Sequence, residues 1–429
     1  MLDIKFIREH TDQVRKSIED RGVAVDLDQL LSLDEQRRKK IQEVEALKAS
    51  QNKLGRDNIQ EAQGLKQRIK ALDPELEELE TQCQDLLWKV PNVVAEDVPV
   101  GKDENENKVI RSWGKVPKFD FEPKDHVALG EALDIIDIER AAKVSGTRFA
   151  FLKREAVRLE FALVQYVFEV LSSEKILKKI AETIDKNYSP KPFIPVVPPV
   201  MIRPEVFRKM ARLSESDKNE RYYLPQDDLY LVGSAEHTLG SMHMDEVLEE
   251  KNLPLRYIGF STAFRREAGS YGKDTKGILR VHQFDKLEME SFVAPENSLK
   301  EHNFLIAIEE YLVQSLEIPY QVVIACTGDM GAPDARQIDI ECWMPGQNKY
   351  RETHTADLMT DFQARRLNTK VKRREGKLEF VHMIDATAIA MSRMPIAIFE
   401  NYQQKDGSIR IPKVLQKYVG VSVIKQGKE

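Results

Sequence analysis

Along residues 62–86, apolar side chains recur at Ala62, Leu65, Ile69, Leu72, Leu76, Leu79, Cys83 and Leu86, in alternating steps of three and four. Kept up over successive heptads, that spacing is a coiled-coil seam. The stretch from Leu27 to Leu54 carries Leu30, Ile41, Val44, Leu47 and Leu54 among charges, at a looser helical period. Between the two lies Leu54-Gly-Arg-Asp-Asn-Ile-Gln60, whose glycine and asparagine end a helix. Two helices are therefore expected to fold back as an antiparallel hairpin over about 27–90. Pro74, following Asp73, predicts a bend or a restarted helix. The turn is flanked by Lys48, Lys53, Arg56, Lys66, Arg68 and Lys70, whereas 73–85 is acidic, so the tip of the hairpin is positive.

From Pro91 to about His126 the periodicity fades into proline, glycine and charge, which reads as a linker and divides the chain near residue 105. Beyond it, helical patterns over 154–187 and 299–316 alternate with short strand-like runs at 229–232, 321–325 and 337–343. Several of those runs alternate apolar and polar residues, as antiparallel strands with one covered face do. The expected fold class is α+β: a helical arm over 1–105 and a larger domain, over 106–429, built on an antiparallel sheet flanked by helices.

Composition narrows the class. The chain has 429 residues, 41% hydrophobic and 32% charged, enough for two or three domains with substantial cores. No apolar run approaches the roughly 18–20 residues that span a bilayer, and the charged first ten residues do not read as a secretory signal. Cys83, Cys326 and Cys342 lie far apart, so neither a disulfide framework nor a cysteine-rich zinc site is suggested, and a reducing cytoplasm is the expected location. A net charge of −6 argues against indiscriminate coating of nucleic acid, so a polyanion would have to be met by a local basic patch.

The chain lacks GxxxxGK[ST], strand-borne GxGxxG and HExxH, so nucleotide handling must come from another motif. The most informative segment is Ser261–Glu290, two strand-like arms around the charged loop Gly269–Gly277. By the period of two, Arg265 and Glu267 share one face, and Arg280, His282, Phe284, Lys286 and Glu288 share one face of the return arm.

Ala263-Phe-Arg-Arg-Glu-Ala-Gly269 followed by Ile278-Leu-Arg-Val-His-Gln-Phe284 resembles motif 2 of the class II aminoacyl-tRNA synthetases, and specifically the seryl branch. The resemblance extends through Phe119-Asp-Phe, Asp125-His126, Leu129-Gly, Gly233-Ser-Ala-Glu236, Cys326–Gly331, Asp361–Arg366 and Glu400-Asn-Tyr-Gln403. It implies an enzyme that activates serine with ATP and Mg²⁺ and transfers it to tRNA-Ser, with selenocysteine tRNA as a further acceptor. A paralogue loading another carrier, or a non-catalytic adapter, is the alternative. The paralogues lack the long arm, and an adapter would have lost Arg265, Glu352 or Arg393, all of which are present.

By this resemblance Arg265 meets the α-phosphate, Glu267 the adenine edge, Val281 a nucleotide contact and Phe284 the adenine face, with Arg266 beside them. Arg393, in Ala388-Ile-Ala-Met-Ser-Arg393, matches the motif 3 arginine, so that adenine would lie between Phe284 and Arg393. Tyr350–Thr355 supplies Glu352 and Thr355 as oxygen ligands for Mg²⁺, with Thr353 and His354 in the same nucleotide segment; no zinc is expected. The serine set is Ser234, Ala235, Glu236, Arg265, Glu288, Asp385 and Thr387. Pro199 resembles the motif 1 proline of a homodimer interface, and Lys53, Arg56, Lys66 and Arg68 are the expected tRNA contacts. Ser234, Thr353–Asp357, Asp385, Ser392 and Met394-Pro395 depart from the commonest family pattern.

Overall fold

The computed structural model describes residues 1–54, 58–214, 217–268 and 277–426. Helix α1 (Leu27–Lys53) starts under an Asp26 side chain that accepts from the Gln29 amide, and it packs against α2 (Ile59–Leu87). Each of the eight seam residues from Ala62 to Leu86 is buried or half-buried, while almost every other residue of 61–82 is exposed. α2 runs through Pro74 without interruption, so no helix restarts there. The base of the hairpin is held by Leu27, Leu30, Leu87 and Val90, which cluster with Ile7, Val14 and Phe362.

The second unit is built on an eight-stranded sheet. Its strands are β1 (Lys108–Trp113), β2 (Ile194–Val196), β3 (Leu255–Phe264), β4 (Gln283–Val293), β5 (Tyr320–Ile324), β6 (Arg336–Met344), β7 (Lys349–Thr360) and β8 (His382–Ala390). The spatial order is β1-β5-β6-β7-β8-β4-β3-β2, and every neighbouring pair is antiparallel except β2 with β3. Helical arm plus antiparallel sheet with flanking helices is the α+β class expected from the sequence.

Two sequence expectations shift. The linker contains β1, an edge strand whose six residues are all exposed; with neither face buried, no alternation betrays it. The helical pattern over 154–187 divides into α3 (Glu155–Leu171) and α4 (Glu174–Ile184), because the Ser173 hydroxyl caps a new start at the Ile176 amide. α3 and α5 (Ser298–Ser315) bury Leu159, Leu163, Val167, Phe304, Ile308 and Leu312 in one large core with β4, β6 and β8. The opposite, polar face of the central strands is thereby left to the cleft described below. Among the described residues no helix is long and apolar enough to cross a membrane.

Glu160 of α3 shares a hydrogen bond with Asp285 of β4, and burial, then that bond and the charge of Asp285, push its carboxyl up to about 8. The folded protein therefore holds a proton there that the unfolded chain has lost, and stability falls as pH rises from the ordinary carboxyl range through about 8. Glu160→Gln is expected to flatten that slope, read from thermal melts between about pH 6 and about pH 9. An unchanged slope would mean that the group is ionised in the fold.

Candidate active site

Central strands β7, β8 and β4 carry polar residues in matching register. Asp357 of β7 lies opposite Asp385 of β8, which lies opposite Glu290 of β4. Two residues along, Thr387 faces Glu288 beside a β-bulge at Ala388 of β8, and Thr355 faces Asp339 of β6. One sheet face thus forms a floor of hydroxyls and carboxylates beneath a cleft of about 380 Å³.

The walls come from segments at the strand ends. β3 ends at Phe264, and Arg265 continues the pairing through a backbone bond to the His282 carbonyl (3.0 Å). Its guanidinium donates to the Gly233 carbonyl (3.1 Å) and lies 5.4 Å from the centre of the Phe284 ring. Glu267 adopts a left-handed backbone (φ 52°), which breaks the strand periodicity expected to align it with Arg265; its carboxylate is instead fixed by Arg280 at 2.7 Å. Arg393 enters from the far side, at the start of α6 (Met394–Tyr402), and its Nη1 donates to Glu352 Oε1 at 2.6 Å. Thr355 Oγ1 lies 3.3 Å from that same carboxylate oxygen.

These walls are cationic. Burial and the proximity of Arg393 push the Arg265 guanidinium below its ordinary range, and burial followed by Arg265 brings Arg221 down to about 10. Two guanidiniums held below their ordinary range, with Arg393 close by and kept charged by Glu352, make a site whose natural occupant is a polyanion. Arg221 lies close against Gly233: a Cβ there would stand 2.5 Å from its Nη1, so a side chain at 233 would displace the guanidinium.

At the other end Ser234 Oγ donates to Glu288 Oε2 at 3.0 Å, and Lys286 pairs with the same carboxylate. Glu236, at the start of the short helix Glu236–Leu239, binds Arg212 at 2.6 Å. Burial pushes Glu236 up, but the Arg212 charge, with smaller help from His237 and Lys286, outweighs it and holds the carboxyl at about 2. Burial drives Glu290, Asp357 and Asp385 well above the carboxylate range. This end therefore suits a small group that is cationic or rich in hydrogen-bond donors.

The structure brings Arg265, Glu267, Val281, Phe284, Glu352, Thr353, Thr355 and Arg393 to the cleft, together with Ser234, Glu236, Glu288, Asp385 and Thr387. Three expected residues are not in its lining. Arg266 turns outward, 5.4 Å from the Tyr222 ring centre; His354 is buried against the Thr353 hydroxyl (2.9 Å); Ala235 is fully buried beneath the loop. Lys53, Lys66 and Arg68 are exposed toward the end of the hairpin remote from Phe362, and Arg56 lies outside the described residues. Sequence reasoning missed Arg212 and Arg221. Each stands in a segment without periodicity, and only the fold brings it to the cleft.

Residues 1–94 match the seryl-tRNA synthetase N-terminal domain, and residues 220–402 match the tRNA synthetase class II core domain (G, H, P, S and T). A serine--tRNA ligase of Dictyoglomus turgidum is 41% identical over 442 residues, covering 100% of both chains. The chain belongs to the seryl-tRNA synthetase family. The crystal structure of seryl-tRNA synthetase from Pyrococcus horikoshii complexed with ATP is similar at 40% identity and a TM-score of 0.88, covering 100% of both chains. The cytoplasmic serine-tRNA ligase from Naegleria fowleri in complex with AMP is 31% identical with a TM-score of 0.88, covering 100% of this chain and 99% of that one.

Within this synthetase, Glu290 is fully buried and neither carboxyl oxygen has a partner among the described residues. An unpartnered buried acid costs stability even when neutral. Glu290→Met is expected to raise the melting temperature. A fall of several degrees would show that the carboxyl makes a bond essential to the floor.

Proposed function

We propose that the cleft forms seryl-adenylate from ATP and serine and that the same chain transfers the seryl group to the 3′-terminal ribose of tRNA-Ser. The observation that carries this reading is the polarity of the cleft, with guanidiniums at one end and a small hydroxyl- and carboxylate-lined pocket at the other, joined at Arg265. The serine carboxylate attacks the α-phosphorus in line, and pyrophosphate leaves. Arg265 bridges the reacting carboxylate and the α-phosphate, stabilising charge that grows in the transition state. Phe284 and Arg393 hold adenine between them, with Glu267 and Val281 at its edge. Glu352 and Thr355 form an oxygen set that fits Mg²⁺ better than zinc. The ion would offset phosphate charge when bound.

In the amino-acid pocket Ser234, Glu288 and Thr387 surround the side chain, while Glu236 and Asp385 lie toward the ammonium group. The arm, through Lys53, Lys66 and Arg68 together with Arg56, contacts tRNA phosphates, so we place the functional boundary near residue 105. The exposed apolar residues Ile194, Val197 and Met201, close to Pro199, support assembly as a homodimer. Cytoplasmic location accords with the role.

Arg265→Ala and Arg393→Ala are each expected to cut serine-dependent pyrophosphate exchange by about 10² or more with folding intact; near-normal exchange in both would sink the nucleotide assignment. Removing about residues 27–90 should spare adenylate formation and abolish tRNA charging, measured as exchange and aminoacylation on the same preparation. Equal charging by the truncated protein would make the arm purely structural. Serine should be preferred, threonine weak, and alanine inactive, because an unmet buried hydroxyl partner is costly. Thr387→Val should erode the distinction between serine and alanine more than it changes ATP affinity.

A further inference from the structure

Arg212 follows the helix Pro204–Lys209 and belongs to none of the motifs that frame the site. Its side chain is 15% exposed and faces four carboxylates: Nε reaches Glu236 at 2.6 Å, and Nη2 reaches Asp334 and Asp357 at 3.3 Å each and Asp385 at 3.7 Å. The backbone around it is cut to fit, since a Cβ on Gly331 would stand 2.7 Å from Arg212 Nη1. Asp357 Oδ1 and Asp385 Oδ2, both on residues lining the cleft, have no hydrogen-bond partner among the described residues. As a stability device such a cluster is poor, because apolar residues of similar volume commonly do as well. Its chemistry is better matched to a bound cation.

We propose that Arg212 is a positioning residue for the amino-acid end of the cleft, fixing Glu236 and Asp385 toward the place taken by the substrate's ammonium group. The inference rests on the serine reading given above and adds to it the residue that aims those two acids. Arg212 does not touch the substrate in this account. Its planar fork spans carboxylates from four separate elements: the short helix at Glu236, the loop at Asp334, β7 at Asp357 and β8 at Asp385. A lysine, with one compact charge, cannot hold all of them. The guanidinium also keeps Glu236 ionised against its burial, so the acid nearest the ammonium group arrives charged. Asp357 Oδ1 has no partner among the described residues, and Asp385 Oδ2 has only the long ion pair to Nη2, so both can accept a hydrogen bond from an incoming N–H.

The test is steady-state pyrophosphate exchange with serine and ATP, each varied in turn, together with thermal melts. The proteins are the full-length chain, Arg212→Gln, Arg212→Lys, and Arg212→Gln combined with Asp334→Asn. The last variant removes the cation with an acid that does not line the cleft, so charge balance is kept even if the single variant folds poorly. Arg212→Gln is expected to raise the KM for serine about tenfold or more, with the KM for ATP changed less than about threefold. Arg212→Lys should fall between it and the parent. The combined variant should recover the melting temperature while its KM for serine stays high, because Glu236 still lacks its partner. Equal increases in both KM values, or recovery of the serine KM along with stability, would overturn the proposal and leave Arg212 as a structural counter-charge. A parent protein that shows no exchange with serine would overturn the serine reading itself, whatever the variants do.

Discussion

Like charges held close together need an outside partner, and the site is organised around that constraint. Arg265 arrives from the end of β3 and Arg393 from the junction of β8 and α6, so their approach is set by the register of the central strands. Glu352 offsets part of the charge on Arg393 through a direct ion pair, whereas the hydrogen bond of Arg265 goes to a neutral carbonyl, and Glu267, Glu352 and Glu288 oppose its burial only at longer range. An incoming polyphosphate meets donors already in place, and the cost of gathering them has been met by folding rather than by binding. The helices behind the sheet matter here because they bury the opposite face of the same strands and so fix the positions of the polar one.

The acidic end follows the complementary rule. Carboxylates brought together on a pleated sheet face must be neutralised by protonation, by a resident cation or by a ligand. Glu290 takes the first course, Glu236 the second through Arg212, and Glu288 shares Lys286 and the Ser234 hydroxyl. The loop that brings Asp334 beneath Arg212 also receives the Arg21 guanidinium on the Gly331 carbonyl (2.9 Å) and on that of Asp334. The N-terminal unit thus rests on the backbone loop that carries Asp334 beneath Arg212.

Much of this was legible in the sequence, for physical reasons that differ from element to element. The seam of α2 was plain because a long two-helix contact imposes a strict period, and the strands β5 and β6 were plain because β5 is a short, almost wholly buried β-branched run and β6 alternates. Pro74 marks no helix boundary, since α2 continues through it at an exposed position. β1 left no pattern because it is an exposed edge. In the site, the residues that share local motifs, such as Arg265 and Phe284 or Glu352 and Thr355, were visible as pairs. Arg212 and Arg221 were not, since their partners lie far along the chain and come together only through the fold. Arg266 and His354 show the converse limit: membership of a motif does not decide which way a side chain points.

The most direct measurement is a structure of the protein bound to a non-reactive sulfamoyl analogue of seryl-adenylate. The account places the sulfamoyl group, which stands in for the α-phosphate, within hydrogen-bond reach of Arg265, the adenine ring between Phe284 and Arg393, and the seryl ammonium toward Glu236 with its hydroxyl at Glu288 and Thr387. An analogue bound in the reverse sense, or one that leaves Arg265 pointing only at Gly233 and the acidic floor empty, would contradict it.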